Sequence, residues 1–137
     1  MYHKIDGVTV AIGVMDILDT YISSQYLLWD PKYAFLGLGK VSVIREIEYM
    51  KMLKKSGAFP NLKYYLLGDY MPSNSRLNYK SLFKPAEVCC PHTKRFLPLT
   101  PEVITRMESY HPLTQATKGI VKIDLEPKTK ESTLTKE

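Results

Sequence analysis

The chain is poor in features that would each have pointed elsewhere. Its only two cysteines are neighbours, Cys89 and Cys90. Adjacent cysteines rarely bridge each other because the geometry is strained, so a disulfide framework is excluded and reduced thiols in a cytosolic protein are expected. With His92 and His111 these thiols fit no closed four-ligand zinc pattern, and no metal is expected. No apolar run reaches the ~18 residues of a membrane-spanning helix. Residues 8–18 come closest, but Asp16 interrupts them. No basic-then-apolar leader opens the chain, so secretion is not expected. No Ser-His-Asp or Cys-His arrangement stands out.

What is present suits one folded domain. The 137 residues are 45% hydrophobic, enough for a core. The net charge is +5, and its placement says more than its size. Residues 36–80 hold eight Lys/Arg against three Asp/Glu, whereas residues 1–35 hold two Lys against four Asp. A local basic field suits an RNA backbone, although a solvated lysine face would have the same composition.

Periodicity gives the organisation. Val8 to Leu18 reads as a strand, with Val8, Val10, Ile12 and Val14 on one face and the small residues Thr9, Ala11 and Gly13 on the other. Asp19-Thr20 is a turn. Ile22 to Trp29 is the returning strand, ended by Asp30-Pro31. A helix is expected from Lys40 to Lys55 on a stripe of Val43, Ile44, Ile47 and Met50. Leu62 to Tyr70 reads as a third strand and Ser75 to Phe83 as a short helix capped by Ser73. A last strand lies within Val88–Leu99, interrupted by Pro91. Thr100-Pro101-Glu102 then opens a helix to about Tyr110. Residues 116–137 are polar and expected to be a disordered tail.

Gly37 and Gly39 stand between a strand and a helix start. Backbone N–H groups and the helix dipole there can hold an anion. The alternative is a tight loop whose glycines supply positive φ.

The ordered set Ser23-Ser24-Gln25-Tyr26-Leu27-Leu28-Trp29-Asp30-Pro31-Lys32-Tyr33, Leu36-Gly37-Leu38-Gly39, Arg45-Glu46-Ile47, Tyr65-Leu66-Leu67-Gly68-Asp69-Tyr70 and Tyr79-Lys80-Ser81-Leu82-Phe83-Lys84-Pro85 resembles the C-terminal catalytic region of the arginyl-tRNA–protein transferases. Cys90-Pro91, followed by a hydrophobic strand and Pro98, looks like the eukaryotic type. The resemblance implies an α/β architecture: the C-terminal half of an acetyltransferase-like (GNAT-like) fold in the order β-β-α-β-α-β, over residues 1–115, with a polar tail. The first half of that fold, and the family's cysteine-rich N-terminal region, are not in this sequence, so a fragment or truncated product is expected. Asp69, Met71-Pro72, Asn74 and Leu77-Asn78 depart from the eukaryotic pattern in one loop, where acceptor selection or loop geometry would change.

The resemblance also implies a chemistry. Arginine passes from charged tRNA to the N-terminal amine of a protein that begins with Asp or Glu, in the N-degron route to degradation. It implies a cytoplasmic location, with the nucleus as a second. No cofactor is needed, arginyl-tRNA being the co-substrate. The missing N-terminal half is a further expected partner, and no membrane is. Gly37, Gly39, Lys40 and Ser42 are placed at the terminal tRNA phosphates, and Tyr79 and Lys80 join them in holding the tRNA or donor; Lys80 could hold RNA phosphate or the acceptor carboxylate, or be a solvated lysine. Asp30 could hold the donor arginine or position the amine; its alternative is a cap before Pro31. Glu46 either pairs with Arg45, Lys40 or Lys63 or faces the cleft. Tyr26 could donate a hydrogen bond to the reacting ester, or be a core tyrosine. Two other functions fit parts of the pattern: an acyltransferase with a small thioester donor, and a truncated, non-catalytic partner-binding product.

Overall fold

A computed structural model describes residues 1–90, 93–109 and 119–124. The elements are β1 (Tyr2–Ile5), β2 (Val8–Ile17), β3 (Tyr21–Trp29), a 3₁₀ segment Pro31–Leu36, α1 (Leu38–Lys55), β4 (Tyr64–Tyr70), a second 3₁₀ segment Asn78–Leu82, β5 (Ala86–Cys89), β6 (Phe96–Pro98), α2 (Pro101–Ser109) and β7 (Gly119–Asp124). This is a mixed α/β fold. The strands form one sheet in the order β1-β2-β3-β4-β7-β5-β6. Every neighbouring pair is antiparallel except β3 and β4, which α1 joins as a parallel crossover.

The β2–β3 hairpin, α1 and β4 lie where the periodicity puts them. Four elements differ. β1 is added by an Asp6-Gly7 turn, both residues at positive φ, a conformation that lets a two-residue hairpin loop match strand twist. The expected short helix at 75–83 is only the 3₁₀ segment Asn78–Leu82. The last strand expected within Val88–Leu99 is two, β5 and β6, paired as a hairpin with Val88 opposite Leu97. The fourth is the expected tail. Within 116–137, Gly119–Asp124 is instead a central strand between β4 and β5, because Val121 and Ile123 alternate with Lys122 and fill the core. The other residues of that stretch lie outside the described residues.

The main core lies on one face of the sheet. Tyr65, Leu67, Val88, Val121 and Ile123 meet Val43 and Met50 of α1 there, and Val103, Ile104 and Met107 of α2 pack against them. Each fully buried side chain of this size contributes roughly 1.5–3 kcal/mol. The buried stripe of α1 is rotated from the expected one. Ser42 and Glu46 point inward with Val43 and Met50, while Ile44 is half exposed.

The opposite face divides in two. Over β4, β7 and β5, Lys122 pairs with Glu87 at 2.6 Å and lies over the rings of Tyr64 and Phe96. Over β1, β2 and β3, register aligns Tyr2 with Ile12 and Leu28, and Val14 with Tyr26. All five of these side chains are exposed. A contiguous apolar face of this kind favours association. Tyr26→Lys with Leu28→Lys should lower self-association in sedimentation velocity at micromolar concentration while the melting temperature stays within a few degrees. An unchanged sedimentation profile would show that this face is not adhesive.

Candidate functional site

β3 and β4 pair over only three residues each, Tyr21–Ser23 with Tyr64–Leu66, and then part. The separation opens a cleft of about 1200 Å³. Leu27 and Trp29 line it from β3, Tyr70 from β4, and Gly37–Lys40 from the start of α1. Ser75, Arg76, Asn78 and Tyr79 line it from the segment after β4, and Ile104 and Glu108 from α2.

The helix start faces this space for a local reason. Gly37 takes φ 61°, closing the 3₁₀ segment through its N–H to the Ala34 carbonyl, and α1 follows without a side-chain cap. The Lys40 N–H turns back to the Gly37 carbonyl at 2.9 Å, but the amides of Leu38 and Gly39 have no intrahelical acceptor, so an anion in the cleft meets two donors, the helix dipole and the Lys40 side chain together. A side chain at position 39 would approach the Tyr79 hydroxyl, 3.7 Å from where its Cβ would lie. Burial, with the Glu46 charge as a smaller cause, raises the Tyr79 pKa, which keeps its phenol protonated and able to donate.

Beneath the cleft lies a buried carboxylate. Glu46 is 1% exposed. It accepts hydrogen bonds from Ser42 Oγ at 2.8 Å and from Tyr65 Oη at 2.7 Å. Burial, then the charge and hydrogen bond of Glu46, push the Tyr65 hydroxyl far above its ordinary value, locking it as a donor. Gly13 of β2 makes the room: a Cβ there would sit 2.8 Å from Glu46 Oε1. His3 lies at the same spot with its Nε2 buried and without a hydrogen-bond partner among the described residues. Burial lowers the His3 pKa despite the opposing pull of Glu46.

The cleft therefore brings together Gly37, Gly39, Lys40 and Tyr79. Other sequence-predicted residues lie elsewhere. Tyr26 is 69% exposed on the opposite face, because it alternates with the cleft-lining Leu27. Asp30 caps the 3₁₀ segment, its Oδ1 accepting from the Lys32 N–H at 3.0 Å. Ser42 and Glu46 are engaged with one another under the floor rather than on it. Lys80 is buried, its Nζ donating to the Asp69 carbonyl at 2.6 Å. Trp29, Tyr70, Arg76 and Glu108 are the cleft residues that sequence reasoning missed. Trp29 was within reach, since it shares strand parity with Leu27; Arg76 and Glu108 reach the cleft only through tertiary placement. Cys89 ends β5, its thiol 3.7 Å from the Cys90 carbonyl, and His92 and His111 lie outside the described residues.

Gly13→Ala should destabilise the chain by about 1–3 kcal/mol through forced overpacking. Tyr65→Phe should cost a similar ~1–3 kcal/mol by leaving the buried carboxylate one donor short. Urea unfolding checks both, and an unperturbed Gly13→Ala would show that Glu46 is not held as described.

The family profile described as "Arginine-tRNA-protein transferase, C terminus" matches residues 1–90. Arginyl-tRNA–protein transferase 1 of Arabidopsis thaliana is 45% identical over 96 residues, which cover 70% of this chain and 15% of that protein. Its Drosophila melanogaster counterpart is 38% identical over 108 residues, covering 79% and 22%. An aspartate/glutamate leucyltransferase of Acinetobacter baumannii is 31% identical over 104 residues, covering 74% and 36%. The chain spans well under two thirds of each relative's length. By the match of residues 1–90, the chain belongs to the arginyl-tRNA–protein transferase family and corresponds to its C-terminal region.

Proposed function

We propose that this chain holds the charged 3′ end of an arginyl-tRNA and presents its ester to the N-terminal amine of a protein that begins with Asp or Glu. The observation that carries the reading is the uncapped helix start at Gly37–Lys40, facing a cleft walled by Trp29, Tyr70, Arg76 and Tyr79 in a chain of this family. The exposed ring of Trp29 suits the terminal base, since any base can stack on an aromatic through its π-face. Lys40 and Arg76 suit phosphate. The name of the Acinetobacter relative, aspartate/glutamate leucyltransferase, supports an acidic acceptor.

The reaction is an aminolysis. The acceptor nitrogen attacks the aminoacyl carbonyl carbon, the ester C–O bond breaks, and the ribose hydroxyl leaves with a proton from the amine. An α-amine of pKa ~7.7–8.0 is roughly one tenth neutral at pH 7, so alignment rather than a strong base supplies much of the rate. In this reading the protonated Tyr79 phenol, at the cleft wall, donates to the developing oxyanion, a role that Tyr26 on the opposite face cannot fill. Glu46 then acts at one remove, by fixing α1.

The parallel β3–α1–β4 crossover with parting strands supports the acetyltransferase-like reading of the sheet. The open face of β1–β3 and the short span relative to the relatives support a fragment whose transfer activity needs the N-terminal part found in them.

Lys40→Glu and Arg76→Glu should each weaken binding of an acceptor-stem minihelix and reduce the slope of log affinity against log salt by about 1. Fluorescence anisotropy at several salt concentrations measures both, and unchanged affinity and slope in the two variants would sink the proposed site. In a transfer assay with arginyl-tRNA and an Asp-initiated peptide, the chain alone should be nearly inactive. It should gain activity when the N-terminal portion of the Arabidopsis relative is supplied. Robust transfer by the chain alone would overturn the fragment reading.

A further inference from the structure

The charges around the cleft are unequal in kind. Among the described lining residues there are two cations, Lys40 and Arg76, and a single carboxylate, Glu108. Glu108 lies one turn after Ile104 on α2, and residues four apart share a helix face. Ile104 packs into the core and also lines the cleft, so the same stripe carries Glu108 to the cleft wall. There its charge acts on the buried phenol of Tyr70, which closes the end of β4. Among the described residues no cation pairs with Glu108. The other carboxylate near the site, Glu46, is already committed to Ser42 and Tyr65 beneath the floor.

We infer that Glu108 selects the donor amino acid, by receiving the guanidinium of the aminoacyl group while the cations of the helix start and the Ser75–Tyr79 segment take the phosphates. This rests on the reading of the cleft as the donor site. A planar guanidinium binds a carboxylate through paired, charge-assisted hydrogen bonds, which a neutral side chain of the same shape cannot match. That the same fold region occurs in a leucyltransferase suits a selection made by a few wall residues rather than by the scaffold.

Citrulline has the shape of arginine without its charge, and so isolates the contact. The test uses the 137-residue chain and an acceptor-stem minihelix that bears arginine or citrulline at its 3′ end through a stable amide. The chain should bind the arginyl form about tenfold to a hundredfold more tightly. Glu108→Gln should abolish that preference while citrullyl affinity stays within twofold, and Glu108→Asp, which keeps the carboxylate, should retain part of it. Thermal melts establish that each variant is folded; if Glu108→Gln is not, loss of the preference in a folded Glu108→Asp would count against the assignment, because the charge is still there. A preference that survives in Glu108→Gln, or a wild-type chain that binds both forms equally, overturns this assignment and leaves the donor-site reading standing. A wild-type chain that binds neither minihelix overturns both.

Discussion

The fold turns on one buried carboxylate. Glu46 draws together three elements: α1, which carries it; β4, through the Tyr65 hydroxyl; and β2, which reaches it because Gly13 has no side chain. A carboxylate taken out of water is costly unless its oxygens are occupied, and here Ser42 and Tyr65 occupy one each. Hydrogen bonds to a charged acceptor are worth roughly 1.5–3 kcal/mol apiece, and an unfilled acceptor loses more than it gains. Such a site is specific rather than merely cohesive. A hydrophobic contact would let α1 slide or roll against the sheet; the Tyr65 hydroxyl at 2.7 Å, on a carboxylate that Ser42 orients from within α1, does not. The direction in which the first turn of α1 points is thereby set from below.

The cleft is a second consequence of the same crossover. A parallel pair that breaks after three residues leaves the facing edge of each strand without a backbone partner, although β2 and β7 still pair with the other edges. Leu27 and Trp29 on one strand and Tyr70 on the other take up that space, with the Asn78–Leu82 segment filling from the side. Lys80 fixes that segment by reaching the Asp69 carbonyl beside Gly68, whose positive φ accompanies the register shift in β4. A lysine that looked like a phosphate ligand thus shapes the wall on which Arg76 and Tyr79 stand.

What the sequence revealed follows what is local. The hairpin of β2 and β3, the span of α1 and the glycine loop depend on alternation, helical spacing and turn chemistry, all written within a few residues. The Asp6-Gly7 turn is equally local, but the strand before it is only four residues long and shows little alternation. The inward turn of Ser42 and Glu46 could not be read that way. Ile44 is the more apolar residue, and it is the small face of β2 and the phenol of Tyr65, far off in sequence, that make the polar pair the better fit. Tyr26 is similar: strand parity fixes that it and Leu27 point oppositely, but not which side becomes the cleft. In β7, two core residues are hidden in a run whose composition is polar.

The place of β7 bears on how the chain comes to be folded. Gly119–Asp124 follows every other described strand in sequence, yet it lies between β4 and β5. Until those residues leave the ribosome, β1–β4 and the β5–β6 hairpin have no strand joining them, and two inner edges wait open. Domains form largely as they are synthesised, from the N-terminus onward; this sheet must instead await its latest segment. Lys122, which crosses the joint to reach Glu87 and the rings of Tyr64 and Phe96, acts as its latch.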